Sequence, residues 1–322
     1  MEIIFLGTSS GTPTKRRNVS GAAIRKANAK AWYLVDCGEG TQHRLLETNL
    51  TLKNLQAICI THIHGDHCYG LPGLLASMAM QGRTEPVSLI GPKQVHDFIE
   101  GVIKSTELWL NFEIRFLDVE EQLSEGLQGV DLNIDAVRLS HRVPSFAYVF
   151  TEQASARKLD VDKLKSAGIP SGPIWGKIQS ESRVLLQDGR EIESDDFLLP
   201  PDRARRIIIA GDNDTPELLV PVITDVDVLV HEATYTQDQL ERIGPGPQHS
   251  SAKRVAEFAE SHQLPNLVLT HFSPRYDAGS TSGQSLSDIE NEANAVYSGH
   301  LFLANDLECY NLKKNGVLSK KE

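Results

Sequence analysis

An α/β fold, with two sheets sandwiched between layers of helix, is what this 322-residue sequence predicts. Three observations carry that expectation. Short apolar runs rich in Ile, Val and Leu recur from end to end, five of them stop at a His or an Asp, and two helical patterns lie between them. In chain order the runs are Ala57 to Ile60 ahead of Thr61-His62, Val137 to Ser140 ahead of His141, Ile207 to Ile209 ahead of Ala210-Gly211-Asp212, Val228 to Val230 ahead of His231, and Leu267 to Leu269 ahead of Thr270-His271. Runs of this length with β-branched residues read as strands buried on both faces, and polar residues just beyond their ends gather along one rim of a sheet. One helix is expected to begin near Gly70 to Pro72 and run to about Met80. Another is expected from Ser251 to about His262, with Ser250 and Ser251 as candidate N-caps. From about Thr151 to Pro200 the apolar periodicity weakens, and Gly168, Pro170, Gly172, Pro173 and Gly176 punctuate the chain. That stretch, 151–200, reads as an insertion into one domain spanning 1–322. The last residues, Leu318 to Glu322, read as a frayed tail.

Composition narrows the class. A hydrophobic content of 40% is ordinary for a soluble globular protein. The apolar start, Ile3 to Leu6, is too short for a signal peptide or a membrane helix, so a cytoplasmic location and no membrane partner are expected. Cys37, Cys59, Cys68 and Cys309 lie far apart with no C-x-x-C pair, which reads as buried reduced thiols. A net charge of -11 argues against a broad basic coat for nucleic acid, and no DNA partner is expected. The charge is uneven, however. From Gly11 to Lys30 stand Lys15, Arg16, Arg17, Arg25, Lys26 and Lys30 with no acid, and from Ala154 to Gln179 five bases stand against two acids.

The densest chemistry is the run His62-Ile63-His64-Gly65-Asp66-His67, directly after a buried strand and before the Gly70-Leu71-Pro72-Gly73 helix entry. Imidazole and carboxylate suit zinc or manganese, and His62 and His64, two apart on an extended segment, point the same way. Four such groups crowd one metal. Two neighbouring metals need further ligands and a bridging carboxylate, which His141, Asp212 and His271 at the other strand ends supply. His43, His96, His262 and His300 read as surface or satisfied polar side chains.

The H-x-H-x-D-H run with a later His, a later Asp and a final His resembles the metallo-β-lactamase superfamily. That resemblance implies a four-layer αβ/βα sandwich with two zinc ions. His62, His64 and His141 would hold the first, Asp66, His67 and His271 the second, and Asp212 would bridge them. A narrower resemblance, to the short form of the ribonuclease Z (tRNA 3′-endonuclease) group, rests on three further segments. Pro13-Thr14-Lys15-Arg16-Arg17-Asn18 matches P-x-K-x-R-N, Asp36-Cys37-Gly38-Glu39-Gly40-Thr41-Gln42 matches D-C-G-E-G-T-Q, and His231-Glu232-Ala233-Thr234 matches H-E-A-T. His249-Ser250-Ser251 stands where the group has H-S-T, keeping a hydroxyl at the third position. Gly168 to Gly176 resembles the tip of a protruding arm, or exosite, that grips the body of tRNA.

This second resemblance implies a zinc-dependent endoribonuclease, a phosphodiesterase that removes 3′ trailers from precursor tRNA and leaves a 3′-hydroxyl. Two metals would activate a water against the scissile phosphate. Asp66 would accept its proton, and His249 would protonate the leaving oxygen or brace the transition state; the spacing of the motifs leaves Glu232 either to orient His249 or to serve a purely structural role. Lys15 and Arg17 would pair with phosphates and Asn18 with a base or ribose. The resemblance also implies a homodimer in which one subunit's arm serves the tRNA held at the other's site. A hydrolase of small molecules, such as an arylsulfatase, lactonase or cyclic-nucleotide phosphodiesterase, would carry the same seven ligands. It would not require the Lys15 to Asn18 loop together with the 151–200 insertion. A non-catalytic RNA-binding module would have no reason to retain every ligand.

Overall fold

The structure, a computed structural model, describes residues 1–122, 126–153, 157–277 and 283–321. The chain forms two compact units, Met1–Glu152 with Arg205–Glu322, and Gln153–Ala204. The strands before the second unit are β1 (Glu2–Gly7), β2 (Gly21–Arg25), β3 (Trp32–Val35), β4 (Leu55–Cys59), β5 (Val87–Gly91), β6 (Ile114–Asp118), β7 (Leu127–Gln128), β8 (Leu132–Leu139) and β9 (Ser145–Glu152). The second unit holds β10 (Arg183–Leu185) and β11 (Glu191–Glu193). After it come β12 (Arg206–Ala210), β13 (Val228–Glu232), β14 (Asn266–Thr270), β15 (His300–Leu303), β16 (Cys309–Leu312) and β17 (Leu318–Lys320). The helices are α1 (Thr41–Leu46), α2 (Gly65–Cys68), α3 (Leu71–Met80), α4 (Lys93–Thr106), α5 (Val119–Gln122), α6 (Val161–Ser166), α7 (Pro173–Ser180), α8 (Gln237–Ile243), α9 (Ala252–Ser261) and α10 (Leu286–Asn294).

In the larger unit one sheet has the order β17-β16-β1-β2-β3-β4-β5-β6 and the other β15-β14-β13-β12-β9-β8-β7. Both are mixed. Strands β3 to β6 run parallel, as do β12 to β15, and antiparallel pairs complete each sheet. Because side chains alternate along a strand, the central strands bury two faces at once, whereas β6, β8 and β15 are only partly buried. Ile3 and Phe5 of β1, Phe146, Tyr148 and Phe150 of β9, and Ile207 and Ile209 of β12 fill the space between the sheets. Their neighbours face outward: Ile4 and Leu6 pack with Leu71, Leu74 and Val95 of α3 and α4, and Ala147, Val149 and Ile208 pack with Val255, Phe258 and Ile289 of α9 and α10. At about 1.5–3 kcal/mol for each large side chain withdrawn from water, these three apolar layers are the main force holding the sandwich together. The layering is the helix-sheet-sheet-helix arrangement expected from the sequence.

The two anticipated helices are α3 and α9. Pro72 sits in the first turn of α3, where its missing N–H costs nothing. The Ser251 hydroxyl caps α9 by accepting from the Arg254 N–H at 3.2 Å. The C-terminus departs from expectation. Leu318 is buried and β17 pairs with β16, while Lys320 pairs with Glu308 and Lys321 with Glu2. A stretch read as frayed is therefore a paired edge strand, with Glu322 outside the described residues. Among the described residues no helix is long and apolar enough to cross a membrane.

The smaller unit has its own core of Leu164, Ile169, Ile178, Val184 and Leu186, drawn from α6, the connection to α7, α7 itself and the β10–β11 hairpin. Its elements are too short to show a period in sequence. Arg157, Lys158 and Lys163 pair with Asp195, Asp202 and Asp160. Lys165 and Lys177 are exposed and have no ion-pair partner among the described residues. Residues 154–156, at the start of the basic stretch, lie outside the described residues.

Candidate metal centre

Strands β8 and β12 both run antiparallel to β9, and β12 to β14 are mutually parallel, so the ends that lead to His141, Asp212 and His271 open on one side of their sheet. The β4 strand brings His62, His64, Asp66 and His67 to meet them. Donor atoms of His62, His64, His141 and Asp212 all lie within 4.8 Å of one another, and so do those of Asp66, His67 and His271. His141 Nε2 stands 3.1 Å from His64 Nδ1. His67 Nε2 stands 3.2 Å from His271 Nε2, and Asp66 Oδ2 is 3.5 and 3.3 Å from those two nitrogens. Asp212 faces both groups. Its Oδ2 is 3.6 Å from His62 Nε2 and 3.7 Å from His141 Nε2, and its Oδ1 is 3.5 Å from both His67 Nε2 and His271 Nε2.

These spacings are those of ligands wrapped around an ion with bonds of about 2.0–2.2 Å. The buried His62 Nε2 has no hydrogen-bond partner among the described residues, and its lone pair points into the gathering. Nitrogen and carboxylate donors in these numbers fit borderline divalent metals. The cluster therefore fits a metal.

Hydrogen bonds behind the cluster fix which ring nitrogen faces inward. The His67 Nδ1–H donates to Asp36 Oδ2 at 2.7 Å, leaving Nε2 with its lone pair. Asp36 is itself held by the Thr61 N–H at 2.8 Å and the Thr61 hydroxyl at 3.0 Å. Since that hydroxyl donates to Asp36, its oxygen is left to accept from His62 Nδ1–H at 3.0 Å. His141 Nδ1–H donates to the Gln248 carbonyl at 2.9 Å. His271 Nδ1–H donates to the Thr234 hydroxyl at 3.0 Å, which itself donates to Glu232. Asp36, Gln248 and His271 adopt left-handed backbone, with φ of 59°, 54° and 57°, conformations that non-glycine residues enter at a cost and that here aim a carboxylate, a carbonyl and a ring at the cluster.

Electrostatics support the same reading. Burial and the neighbouring imidazoles of His67, His141 and His64 hold His62 well below the ordinary histidine range. Burial would also lower His67, but the carboxylates of Asp212, Asp36 and Asp66 outweigh it and raise its pKa well above that range. The site thus contains a concentration of negative charge suited to a cation.

His249 stands beside the cluster. Its Nδ1–H donates to Glu232 Oε1 at 2.9 Å and lies 3.7 Å from Asp212 Oδ2. Burial opposes its charged form, but Glu232 and Asp212 prevail and its pKa is raised to about 9. Glu232 also accepts from the Asn213 N–H at 3.0 Å, and Asn213 in turn contacts buried His231 at 3.1 Å. The H-E-A-T segment thus braces the cluster from behind.

Ser10 to Pro13 and Val19, on either side of the Lys15 to Asn18 loop, line one wall of a cleft of about 360 Å³ that also contains His64, Asp66, Asp212, His249 and His271. The Gly11 N–H donates to Asp66 Oδ2 at 2.7 Å. Lys15 is exposed, but Arg17 and Asn18 are 6% and 9% exposed. The Arg17 guanidinium donates to the Thr8 hydroxyl, the Ala304 carbonyl and Asn305 Oδ1. It is turned inward as a brace, which departs from the phosphate contact expected of it, because three internal acceptors already use its donors. The Asn18 N–H donates to Asp306 Oδ2 at 2.6 Å, and its buried Nδ2 lacks a partner among the described residues. His43, His96, His262 and His300 take no part in the cluster. The orienting roles of Asp36, Thr61 and Gln248 were not read from sequence. For Asp36 the only signal was its place in the D-C-G-E-G-T-Q segment.

A protein-family model described as Anti-Pycsar protein Apyc1 matches residues 1–152. The ribonuclease Z of Marinobacter nauticus is 51% identical over 320 residues, 99% of each chain. That of Brevibacillus brevis is 37% identical over 317 residues, 98% of each chain. Among solved structures, the short form of human tRNase Z matches with a TM-score of 0.64 and 25% identity, covering 97% of this chain and 100% of that one. Fold and site together define a metal-dependent hydrolase with the metallo-β-lactamase fold. Identity of this extent over the whole length is decisive at the finer level: the chain belongs to the ribonuclease Z family.

Proposed function

We propose that the cluster holds two zinc ions, one on His62, His64 and His141 and the other on Asp66, His67 and His271, with Asp212 shared between them. The activity is that of the family, endonucleolytic processing of the 3′ ends of tRNA, and the substrate is precursor tRNA. The observation that carries the two-ion reading is the double-facing Asp212, one oxygen towards each set of histidines. Bound there, such a metal pair supplies Lewis acidity, lowering the pKa of water and offsetting charge on a phosphodiester.

The chain's own groups would then move the protons. Asp66, held by His67, His271 and the Gly11 N–H, accepts the proton of the attacking water. As the water oxygen bonds to phosphorus, the bond to the 3′ oxygen of the tRNA breaks. His249, kept charged by Glu232, protonates that oxygen. The products are a tRNA with a 3′-hydroxyl and a trailer with a 5′-phosphate. Glu232 orients His249 and does not meet the substrate, since its oxygens are occupied by Asn213, Thr234 and His249.

Away from the cleft, Lys15 meets backbone phosphates near the cut, and the unit Gln153–Ala204 serves as the exosite, with Lys165 and Lys177 as its open cations. We place the enzyme in the cytoplasm as a homodimer. Incubating the purified protein with a precursor tRNA bearing a 3′ trailer, with and without a chelator, tests the reading. A chelator-sensitive cut at or beside the discriminator nucleotide is expected. Cleavage that survives complete metal removal would refute it.

A further inference from the structure

Among the side chains lining the cleft over the cluster are Tyr69 and Arg142, to which neither the metal site nor the proton transfers assign a role. Tyr69 follows α2 and is 62% exposed. Its ring lies against Gly65, where an added Cβ would come within 2.2 Å of a ring carbon, so only glycine allows that approach. Phe98 supports the ring at a centroid distance of 6.1 Å. An aromatic ring held in this way, with most of its surface open, is a platform for a base.

Arg142 follows the cluster residue His141 and is exposed. Among the described residues lining the cleft it is the one lysine or arginine, against the carboxylates of Glu39, Asp66 and Asp212. It has no hydrogen-bond or ion-pair partner among the described residues. A guanidinium at the mouth of an acidic cleft, with all its donors unused, is complementary to a phosphate.

We infer that Tyr69 and Arg142 form a subsite for a ribonucleotide flanking the scissile phosphate, the base stacking on Tyr69 and the adjoining phosphate pairing with Arg142. The inference rests on the reading of precursor tRNA as substrate and deepens it. The scissile phosphate belongs over the cluster, so the exposed Arg142 takes the next phosphate along the strand. A substrate with a single phosphate has nothing to offer it.

The test compares R142A, Y69A and Y69F with the wild type on precursor tRNA, and R142A also on bis-p-nitrophenyl phosphate. On precursor tRNA, R142A is expected to raise KM roughly ten-fold and to reduce the slope of log KM against log salt by roughly 0.7–0.9, while its rate on the small diester stays within about two-fold. Y69A is expected to lose roughly ten-fold in kcat/KM on precursor tRNA, and Y69F to restore it, because stacking needs the ring and not the hydroxyl. Equal losses by R142A on both substrates, no loss by either alanine variant, or failure of Y69F to restore activity would each overturn the subsite. A wild type unable to cut precursor tRNA would instead remove the substrate reading beneath it.

Discussion

At the scale of single residues, the cluster depends on groups that never touch a metal. Asp36 fixes the ring of His67 and, through Thr61, that of His62. Replacing it with Asn leaves the shape but removes the charge that holds the His67 Nδ1 proton, so metal affinity measured by chelator competition should fall 10- to 100-fold, an order typical for such orienting groups. H64A and D212A remove ligands outright and should lose metal and hydrolysis together, as read by metal content and cleavage rate. Arg17 and Lys15 should separate cleanly. R17A leaves three internal acceptors without their donor and should cost about 2–4 kcal/mol in urea unfolding. K15A should leave the urea midpoint unchanged and lower the salt slope of precursor tRNA binding by about one.

Such distinctions mark what the sequence could convey. The cluster residues were legible because each follows a strand, and strands announce themselves by their apolar runs, even β8, which is only partly buried. Arg17 was misread because sequence shows a charge and not its direction. The acceptors that turn it inward, Ala304 and Asn305, come from the far end of the chain. Asp36 and Gln248 orient rings in segments distant from their own, so their roles emerge only once the sheets are packed.

At the scale of elements, the unit Gln153–Ala204 and the catalytic unit should respond separately to change. Replacing Gln153–Ala204 with a short linker should spare cleavage of bis-p-nitrophenyl phosphate and weaken precursor tRNA binding by at least ten-fold, measured as KM. Equal loss on both substrates would count against an exosite. The stretch looked like a punctuated insertion in sequence because its helices, Val161–Ser166 and Pro173–Ser180, are too brief for periodicity to register. Their core becomes evident only when Leu164, Ile178 and Val184 meet. The terminal strand β17 was missed for a similar reason: three residues, of which one is buried, carry no pattern.

At the scale of the whole molecule, the cluster residues come from both sheets, with His62 to His67 following β4 and His141, Asp212 and His271 following β8, β12 and β14. A cation held between them joins the two halves of the sandwich. Folding and metal loading are therefore linked, and added zinc should raise the melting temperature, with about 2.7 kcal/mol gained per site at a hundred-fold excess over Kd. Because imidazoles bind metals when neutral, and the raised pKa of His67 means that a proton must be displaced there, loading should weaken as pH falls. Calorimetric melts at several zinc concentrations and pH values would check both.

The root of the smaller unit has a consequence for ancestry and engineering. Thr151 and Arg206 are direct neighbours across the antiparallel pair of β9 and β12, and the Glu152 N–H donates to the Arg205 carbonyl at 2.9 Å. The chain leaves and returns through one rung of the ladder, which the bidentate Arg205–Glu152 pair closes from the side. Everything beyond that rung is a cassette. Changing its length or sequence leaves the β9–β12 register in place, so under the proposed exosite role substrate range would change without renegotiating the chemistry.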